Sequence, residues 1–155
     1  MKFSRFSPLF LLFAVVIFKP DTIKAQDTLA GARSSSDSAF IMKDGIYVGT
    51  SRAKYIYEPY WGKVRLTIKN GRFTDIFFSI RDSNLHEYFD GKYEKHFEGN
   101  PEYIQQSRND WKGVQAYPVK LSDKQDINKL DAISGATWSY NIFKASVKEA
   151  LKHPK

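Results

Sequence analysis

The sequence predicts an α+β domain in which a C-terminal helix packs on a small antiparallel sheet that contains a hairpin. Two observations indicate this fold class. Strand-like patterns occupy residues 45–80 and helical patterns follow from residue 100 to residue 151, an order that separates strands from helices. The pair Asn70-Gly71 divides the strand-rich part, and it favours a hairpin because both turn positions need positive φ. The chain has 155 residues, enough for one domain and not for two.

Three strands are predicted around this turn. Gly45–Ser51 is a short strand. Val64–Ile68 alternates apolar and polar residues, as a half-buried strand does, whereas the returning strand Phe73–Ile80 has a larger apolar share. The two longer strands therefore form the hairpin.

The register of the hairpin is left open by the sequence. A strict two-residue turn pairs Ile68 with Phe73 and Val64 with Phe77. That pairing leaves three apolar side chains on the opposite face, namely Ile76, Phe78 and Ile80. Either both faces of the sheet are covered, or a β-bulge shifts the register.

Two helices are predicted after the sheet. Asn100-Pro101-Glu102 starts the first, because asparagine is a good N-cap and proline suits the first helical position. Its weak apolar face consists of Ile104, Ser107 and Trp111. Gly113 is expected to end this helix, and Pro118 and Ser122-Asp123 are expected to form turns. A short helical turn at residues 126–130 then leads towards the second helix.

The second helix is predicted from Trp138 to Leu151. Its apolar residues recur with helical spacing and form one stripe: Tyr140, Phe143, Val147, Ala150 and Leu151. Ser134–Thr137 lies where this helix begins, with a hydroxyl as the expected N-cap. A helix start also suits a phosphate, because its first amides are free and its dipole is positive there. From the residues alone, an ordinary helix cap and a phosphate site both stay open.

The segment Asp131-Ala132-Ile133-Ser134-Gly135-Ala136-Thr137 resembles the covalent flavinylation motif of the FMN-binding domain family, Asp-x-x-Ser-Gly-Ala-Thr. This family includes flavin-carrying subunits of bacterial electron-transport complexes and related small secreted flavoproteins. Residues 44–51 and 61–72 resemble its opening strand and glycine-led hairpin. The resemblance runs from Ile41 to Leu151, and residues 81–117 match nothing that we can name.

The resemblance implies a covalent cofactor. In the family, the last threonine of the motif, here Thr137, carries FMN through a phosphoester that a separate magnesium-dependent flavin transferase makes from FAD. The residues then expected around the attachment point are Ser134, Gly135, Ala136 and Trp138. Asp131 is assigned to maturation or local structure. The segment ahead of the hairpin lies near the flavin in the family, so three lining residues are expected: Tyr60, Trp61 and Gly62.

The function that the resemblance implies is electron transfer by the flavin, with a redox partner protein that is free or membrane-bound. An enzyme with its own small substrate is a weaker alternative, and no catalytic side chain is assigned. No metal site is assigned either, because the three histidines, His86, His96 and His153, lack the spacing of a helical histidine pair. A hydrolase is not favoured, since the Gly-x-Ser-x-Gly motif is missing.

A second hypothesis comes from a different class of function. Aromatic residues are concentrated just before the hairpin, at Tyr55, Tyr57, Tyr60 and Trp61. They could form a loop that holds a glycan or a protein partner without any flavin. The same residues could instead provide a wall for the isoalloxazine ring or simply cover an edge of the core.

The N-terminus has the features of a secretory signal peptide. Lys2 and Arg5 precede an apolar run from Pro8 to Phe18, and Ala25 offers a small residue for cleavage. The expected organisation is a signal peptide at residues 1–25, a polar linker at residues 26–39 and an FMN-binding domain at residues 40–155. An uncleaved N-terminal anchor is the weaker alternative.

The composition limits the remaining classes. The chain contains no cysteine, which excludes a lipoprotein anchor, disulfides and thiolate metal sites. The formal charge is +7, but removal of residues 1–25 takes away four basic residues and one acid, which leaves 20 basic and 16 acidic residues, or +4. These basic residues are scattered among acids, so nucleic-acid binding is not supported. We expect an exported protein, located in the periplasm or otherwise outside the cytoplasm.

Overall fold

The computed structural model describes residues 42–51 and 58–152, which all belong to one compact unit. The predicted signal peptide, the linker, Tyr55, Tyr57 and His153 lie outside the described residues. The α+β class is confirmed, since a three-stranded antiparallel sheet is followed by two helices, of which the second is C-terminal.

The sheet consists of β1 (Gly45–Ser51), β2 (Tyr60–Lys69) and β3 (Arg72–Asp82), with β2 in the centre. Asn70 and Gly71 form the predicted turn with φ values of 53° and 69°. Both values are positive, as a type I′ hairpin turn requires.

A β-bulge resolves the open register. Ile68 pairs with Phe73 as expected, but the register shifts beside Ile68, and Val64 pairs with Phe78 instead of Phe77. The extra residue places Phe78 and Ile80 on the same face as Val64, where all three are buried. Phe77 turns to the opposite face and is 52% exposed. Of the two alternatives, the shifted register is therefore the observed one.

Helix α1 spans Pro101–Lys124 and is longer than predicted. Its start is as expected, since the Asn100 side chain accepts from the Tyr103 amide and Pro101 is the first helical residue. The expectation that Gly113 ends it is wrong, and so is the expectation of turns at Pro118 and Ser122-Asp123. The helix continues because it buries a side against the sheet and the second helix, which outweighs the cost of the two helix breakers.

Gly113 is needed inside α1 because α2 approaches it closely. A Cβ atom at Gly113 would lie 2.6 Å from Ser139 Oγ and 2.8 Å from Ala136 Cβ. Pro118 lacks the amide that would bond one turn back, yet buried Tyr117 and Leu121 flank it. Gly113 is thus required by the packing of α1 against α2, and Pro118 is tolerated inside α1 among buried neighbours.

The end of α1 is attached to the edge strand β3 through Gln125. This residue caps the helix with φ 57°, and its amide donates to Leu121 O at 2.8 Å. Its side chain accepts from the Phe73 amide at 2.8 Å and donates to Phe73 O at 3.0 Å. The side-chain amide of Gln125 therefore makes the two hydrogen bonds that a neighbouring strand would otherwise make to the free edge of β3 at Phe73. A short 3-10 helix at Ile127–Lys129 follows, close to the predicted turn.

Helix α2 spans Thr137–Lys152, within one residue of the prediction at each end. Phe143, Val147 and Ala150 are buried as expected, whereas Tyr140 and Leu151 lie at the margin of the stripe. The stripe also contains three buried residues that the prediction omitted: Ser139, Ile142 and Ser146. Both helices pack on one face of the sheet, α2 on β1 and β2 and α1 on β3. Neither of the helices described is long and apolar enough to cross a membrane.

Candidate functional site

The motif segment forms a tight turn that leads directly into α2. The Ala136 amide donates to Ile133 O at 2.9 Å, which closes a β-turn over Ser134 and Gly135. Gly135 has φ 78°, the positive value that a type II turn requires at its third position. A Cβ atom at Gly135 would also lie 2.9 Å from Asn109 Nδ2, so close contact with α1 independently favours glycine.

A buried carboxylate from α1 caps the start of α2. Asp110 is 3% exposed, and its Oδ1 accepts from the Ser139 amide at 3.0 Å and from Ser139 Oγ at 2.8 Å. The Gln106 amide donates to Asp110 Oδ2 at 2.6 Å and to Gly135 O at 2.9 Å. The cap therefore comes from a neighbouring helix, and no hydroxyl of Ser134 or Thr137 makes a capping bond within the described residues. The expected hydroxyl N-cap is not what the structure shows.

Thr137 is the first residue of α2, and its side chain is exposed. No hydrogen bond in the part of the chain that the structure describes engages its hydroxyl or its amide, and the amide of Trp138 likewise has no acceptor there. The helix start thus offers two free amides and a free hydroxyl next to each other, which is the arrangement that accepts an anion.

A cavity of about 340 Å³ opens beside this helix start. Its lining comes from the start of β2, the segment between the sheet and α1, the first turns of α1, and α2. The residues are Glu58, Tyr60, Phe89, Phe97, Tyr103, Gln106, Ser107, Asp110 and Trp138. Its volume lies at the lower end of the range typical of small-molecule sites, and its mostly aromatic lining suits a flat apolar ring.

Trp138 connects the motif with the cavity. Its indole N–H donates to Glu58 Oε2 at 2.9 Å, and its ring meets Tyr60 edge to face at 4.9 Å between centroids. Phe89 contacts both rings, at 5.1 Å from Trp138 and 6.4 Å from Tyr60. The aromatic wall is therefore locked by packing and by one hydrogen bond.

Tyr60 ends a chain of hydrogen bonds that reaches a buried acid. The Tyr93 hydroxyl donates to Asp82 Oδ2 at 2.5 Å, and the hydroxyls of Tyr60 and Tyr93 lie 3.2 Å apart. Because Tyr93 gives its only proton to Asp82, Tyr60 is the donor of the second bond. Tyr60 then keeps its lone pairs to accept a hydrogen bond from the cavity.

The environment shifts the pKa values along this chain. Burial raises the pKa of Asp82, but donation by Tyr93, Leu85 and Asn84 outweighs it, so the pKa of Asp82 lies below its usual value. Burial and donation to Asp82 raise the pKa of Tyr93 well above that of a free tyrosine. Burial also raises the pKa of Tyr60, and Tyr93 opposes the rise. Asp82 is thus an anion and both tyrosines are neutral at pH 7.

The structure brings together some of the predicted site residues and separates others. Tyr60 and Trp138 line the cavity, whereas Trp61 lies on the opposite face of the sheet and Gly62 is buried in the sheet beside Ile80. Within the motif, Asp131, Ser134, Gly135 and Thr137 are exposed and Ala136 is buried.

Seven lining residues were missed by sequence reasoning: Glu58, Phe89, Phe97, Tyr103, Gln106, Ser107 and Asp110. The helical spacing could have indicated three of them, because Gln106 and Asp110 are one turn apart and lie on the same face of α1 as Ser107. The others come from segments without a regular pattern. Among the described residues no group of three or more histidine or acidic side chains converges, and His96 pairs with Glu87 at 2.9 Å.

Comparisons with known proteins identify the family. The sequence profile described as "FMN-binding domain" matches residues 60–152, which is more than half of the chain. A crystal structure of the CPE2226 protein from Clostridium perfringens is 25% identical, covers 72% of this chain and 87% of its own, and has a TM-score of 0.47. No match is found among curated proteins. The profile match covers β2, β3, both helices, the motif turn and every lining residue of the cavity except Glu58, so the chain belongs to the FMN-binding domain family.

Proposed function

We propose that the protein carries FMN as a phosphoester on Thr137 and serves as an electron carrier outside the cytoplasm. The observation that carries this proposal is the position of Thr137. Its exposed hydroxyl has no hydrogen-bond partner within the described residues, and it directly precedes Trp138, which lines the aromatic cavity. The attachment point and a receptor for a flat ring are thus adjacent.

The residues present suit FMN at both ends. Tyr60, Phe89 and Trp138 form a mostly apolar wall for the ring, and the free amides of Thr137 and Trp138 suit the phosphate. Asp110 already occupies the Ser139 amide, so the phosphate end is confined to the exposed rim of the helix start. FMN supplies the redox chemistry when it is bound, and the protein supplies attachment, orientation and electrostatics.

A covalent bond is a reasonable solution for so small a site. The helix dipole stabilises a bound anion by at most about 2 kcal/mol. Nanomolar retention of a cofactor requires about 12 kcal/mol. Outside the cytoplasm a lost flavin is not easily replaced, so a bond that does not dissociate keeps the carrier functional.

The attachment needs a separate flavin transferase that uses FAD and magnesium. The Thr137 oxygen forms the new bond to the flavin-side phosphorus, the pyrophosphate bond breaks, AMP leaves and the hydroxyl proton passes to a base. No side chain of the described residues is hydrogen-bonded to that hydroxyl, so we assign the base to the transferase. The exposure of Thr137 allows the transferase to reach it.

The test is co-production with a flavin transferase, followed by denaturing electrophoresis and intact mass spectrometry. We expect flavin fluorescence on the denatured chain and a mass gain of one FMN less one water. Thr137→Ala should abolish both, whereas Ser134→Ala, which removes the other exposed hydroxyl of the turn, should keep both. Flavin that is lost on denaturation, or that persists in Thr137→Ala, would overturn covalent attachment at this residue. The same intact mass shows whether residues 1–25 are removed, and retention of that segment would overturn the proposed cleavage.

The comparisons support flavin binding over the flavin-free alternative. Membership of an FMN-binding family supports flavin binding, and of the aromatic residues of this segment Tyr60 packs into the wall of the cavity. Tyr55 and Tyr57 lie outside the described residues. An enzyme with its own small substrate would show steady turnover of a soluble oxidant without a partner protein, and we expect no such turnover.

A further inference from the structure

We propose that the face of the sheet opposite the helices is a docking surface for an acidic redox protein, an inference that rests on the proposed electron-carrier function. This surface, the outer face, is defined here by six residues: Trp61, Lys63, Arg65, Phe77, Arg81 and Tyr88. Both described helices pack on the other side of the sheet. Phe77 is 52% and Tyr88 61% exposed, so the apolar part of the outer face is open to a partner.

The strand pairing shows that these residues share one face. Arg65 is opposite Phe77 in the β2–β3 ladder, Trp61 is opposite Arg81, and Arg81 in turn pairs with Tyr88 through an isolated bridge. Residues directly opposite each other project to the same side. Lys63 lies between Trp61 and Arg65 in the alternation of β2 and projects with them.

The charge of the outer face indicates what it binds. Five cations of the three strands face outwards, namely Lys63, Arg65, Lys69, Arg72 and Arg81, and one acid, Asp75, faces outwards with them. Asp75 lies 3.7 Å from Arg65, and both side chains are more than half exposed, so this pair is weak. Within the described residues Lys63 and Arg81 have no acidic partner. A net positive surface attracts and orients an acidic protein.

The composition favours a protein over a membrane or a second copy. Aromatic residues and arginine are enriched at protein interfaces, and here they alternate across the strands. Basic segments that bind anionic lipids gather about four to eight lysines and arginines beside a membrane helix or on an amphipathic helix, whereas the five cations here are spread along two strands with apolar and polar residues between them. In a symmetric dimer through this face the cations of the two copies would oppose each other.

The location suits electron transfer. Trp61 and Arg81 form a pair at the end of the sheet where β2 begins. Tyr60, which precedes Trp61 in β2, projects to the opposite side of the sheet and lines the cavity. A partner seated on that row would be separated from the cavity by the thickness of the sheet. Weak electron-transfer complexes use small interfaces of this kind.

The test measures docking without any flavin, so that its outcome is independent of the proposed attachment. The mature Thr137→Ala protein, labelled with ¹⁵N, is titrated with a plant-type ferredoxin as the acidic redox probe, at low and high salt. We expect amide shifts centred on the outer face and an affinity that falls about tenfold or more at high salt. The double variant Lys63→Glu/Arg81→Glu should lower the affinity by a similar factor. The matched double variant Lys120→Glu/Lys148→Glu, which makes the same charge change at exposed helix positions, should alter it by about twofold or less.

Several results would overturn the inference. They are shifts centred on the helices, equal losses in the two double variants, or no binding at low salt. Binding of phosphatidylserine vesicles in place of ferredoxin would assign the face to a membrane, and concentration-dependent dimerisation that Phe77→Asp abolishes would assign it to a second copy. Ferredoxin binding that appears only after residues 26–41 are deleted would assign it to the protein's own N-terminal segment. Failure of flavin attachment, by contrast, would leave each of these measurements unchanged.

Discussion

Replacement of Gly113 by alanine is expected to destabilise the domain, although alanine is the better helix residue. The new Cβ atom would lie 2.6 Å from Ser139 Oγ, 2.8 Å from Ala136 Cβ and 2.9 Å from Tyr117 Cε2. None of these atoms can move away easily. Ser139 is held by Asp110, the Ala136 methyl group is attached directly to the backbone, and the Tyr117 hydroxyl donates to Ala136 O.

The magnitudes decide the sign of this effect. Overpacking of a core position costs about 1–3 kcal/mol. The change from glycine to alanine inside a helix returns about 1 kcal/mol through propensity. With three contacts below 3.0 Å the cost lies in the upper part of its range, so we expect a net loss of about 1–2 kcal/mol. For a domain between about 100 and 150 residues each kcal/mol lowers the melting temperature by about 4 °C, so the melting temperature should fall by about 4–8 °C.

The assay is urea unfolding followed by tryptophan fluorescence, with thermal unfolding followed by circular dichroism. Lys112→Ala is the matched control, because Lys112 is the neighbouring helical residue and is exposed. Its free energy of unfolding should stay within about 0.5 kcal/mol of the wild type. A Gly113→Ala protein as stable as the wild type, or more stable, would refute the close approach of α1 to the start of α2.

Two further predictions concern buried carboxylates. Asp110→Ala leaves the buried Ser139 amide without an acceptor, at a cost of about 1–3 kcal/mol, whereas the Ser139 hydroxyl keeps Ala136 O as an acceptor at 3.1 Å. It should reduce flavin incorporation at Thr137 more than Asp110→Asn, which retains an acceptor oxygen. Equal yields by intact mass spectrometry after the same exposure to transferase would contradict a positioning role. For Asp82 the folded pKa lies below the ordinary value of 3.8, so its contribution to stability is complete above that value and is lost as the pH falls through the folded pKa. Tyr93→Phe removes the strongest donor to Asp82 and should weaken this dependence, measured as urea midpoints between about pH 7 and 2, whereas an unchanged dependence would show that another group causes it.

The sequence was informative wherever local chemistry determines the backbone. The Asn70-Gly71 turn, the helix start at Asn100 and the start of α2 after the small-residue turn were all predicted at or within one residue of their positions. Each depends on residues that contact each other along the chain, such as an N-cap or a pair of positive φ values. The family resemblance at residues 131–137 likewise depends on a short contiguous segment.

Prediction failed where distant residues decide the outcome. Gly113 and Pro118 are ordinary helix breakers by propensity, yet α1 passes through both because Ser139, Ala136 and the core require its buried side. The cap on α2 was assigned to a hydroxyl of its own turn, but it is the Asp110 carboxylate, 29 positions earlier in the chain. The residues around Asp110 and those at the start of α2 do not show in their own sequence that the two segments will be in contact.

The amino-acid sequence by itself determined the α+β class, the hairpin turn, the two helix starts and the flavinylation-like segment that ends at Thr137. The tertiary structure decided the bulged register that buries Phe78, the length of α1, and the cavity in which Tyr60 and Trp138 meet. The physical reason is the range of the interactions. Turns and caps are formed by neighbouring residues, whereas burial and close packing join residues from separate elements, and the free energy of that burial overrides local propensity.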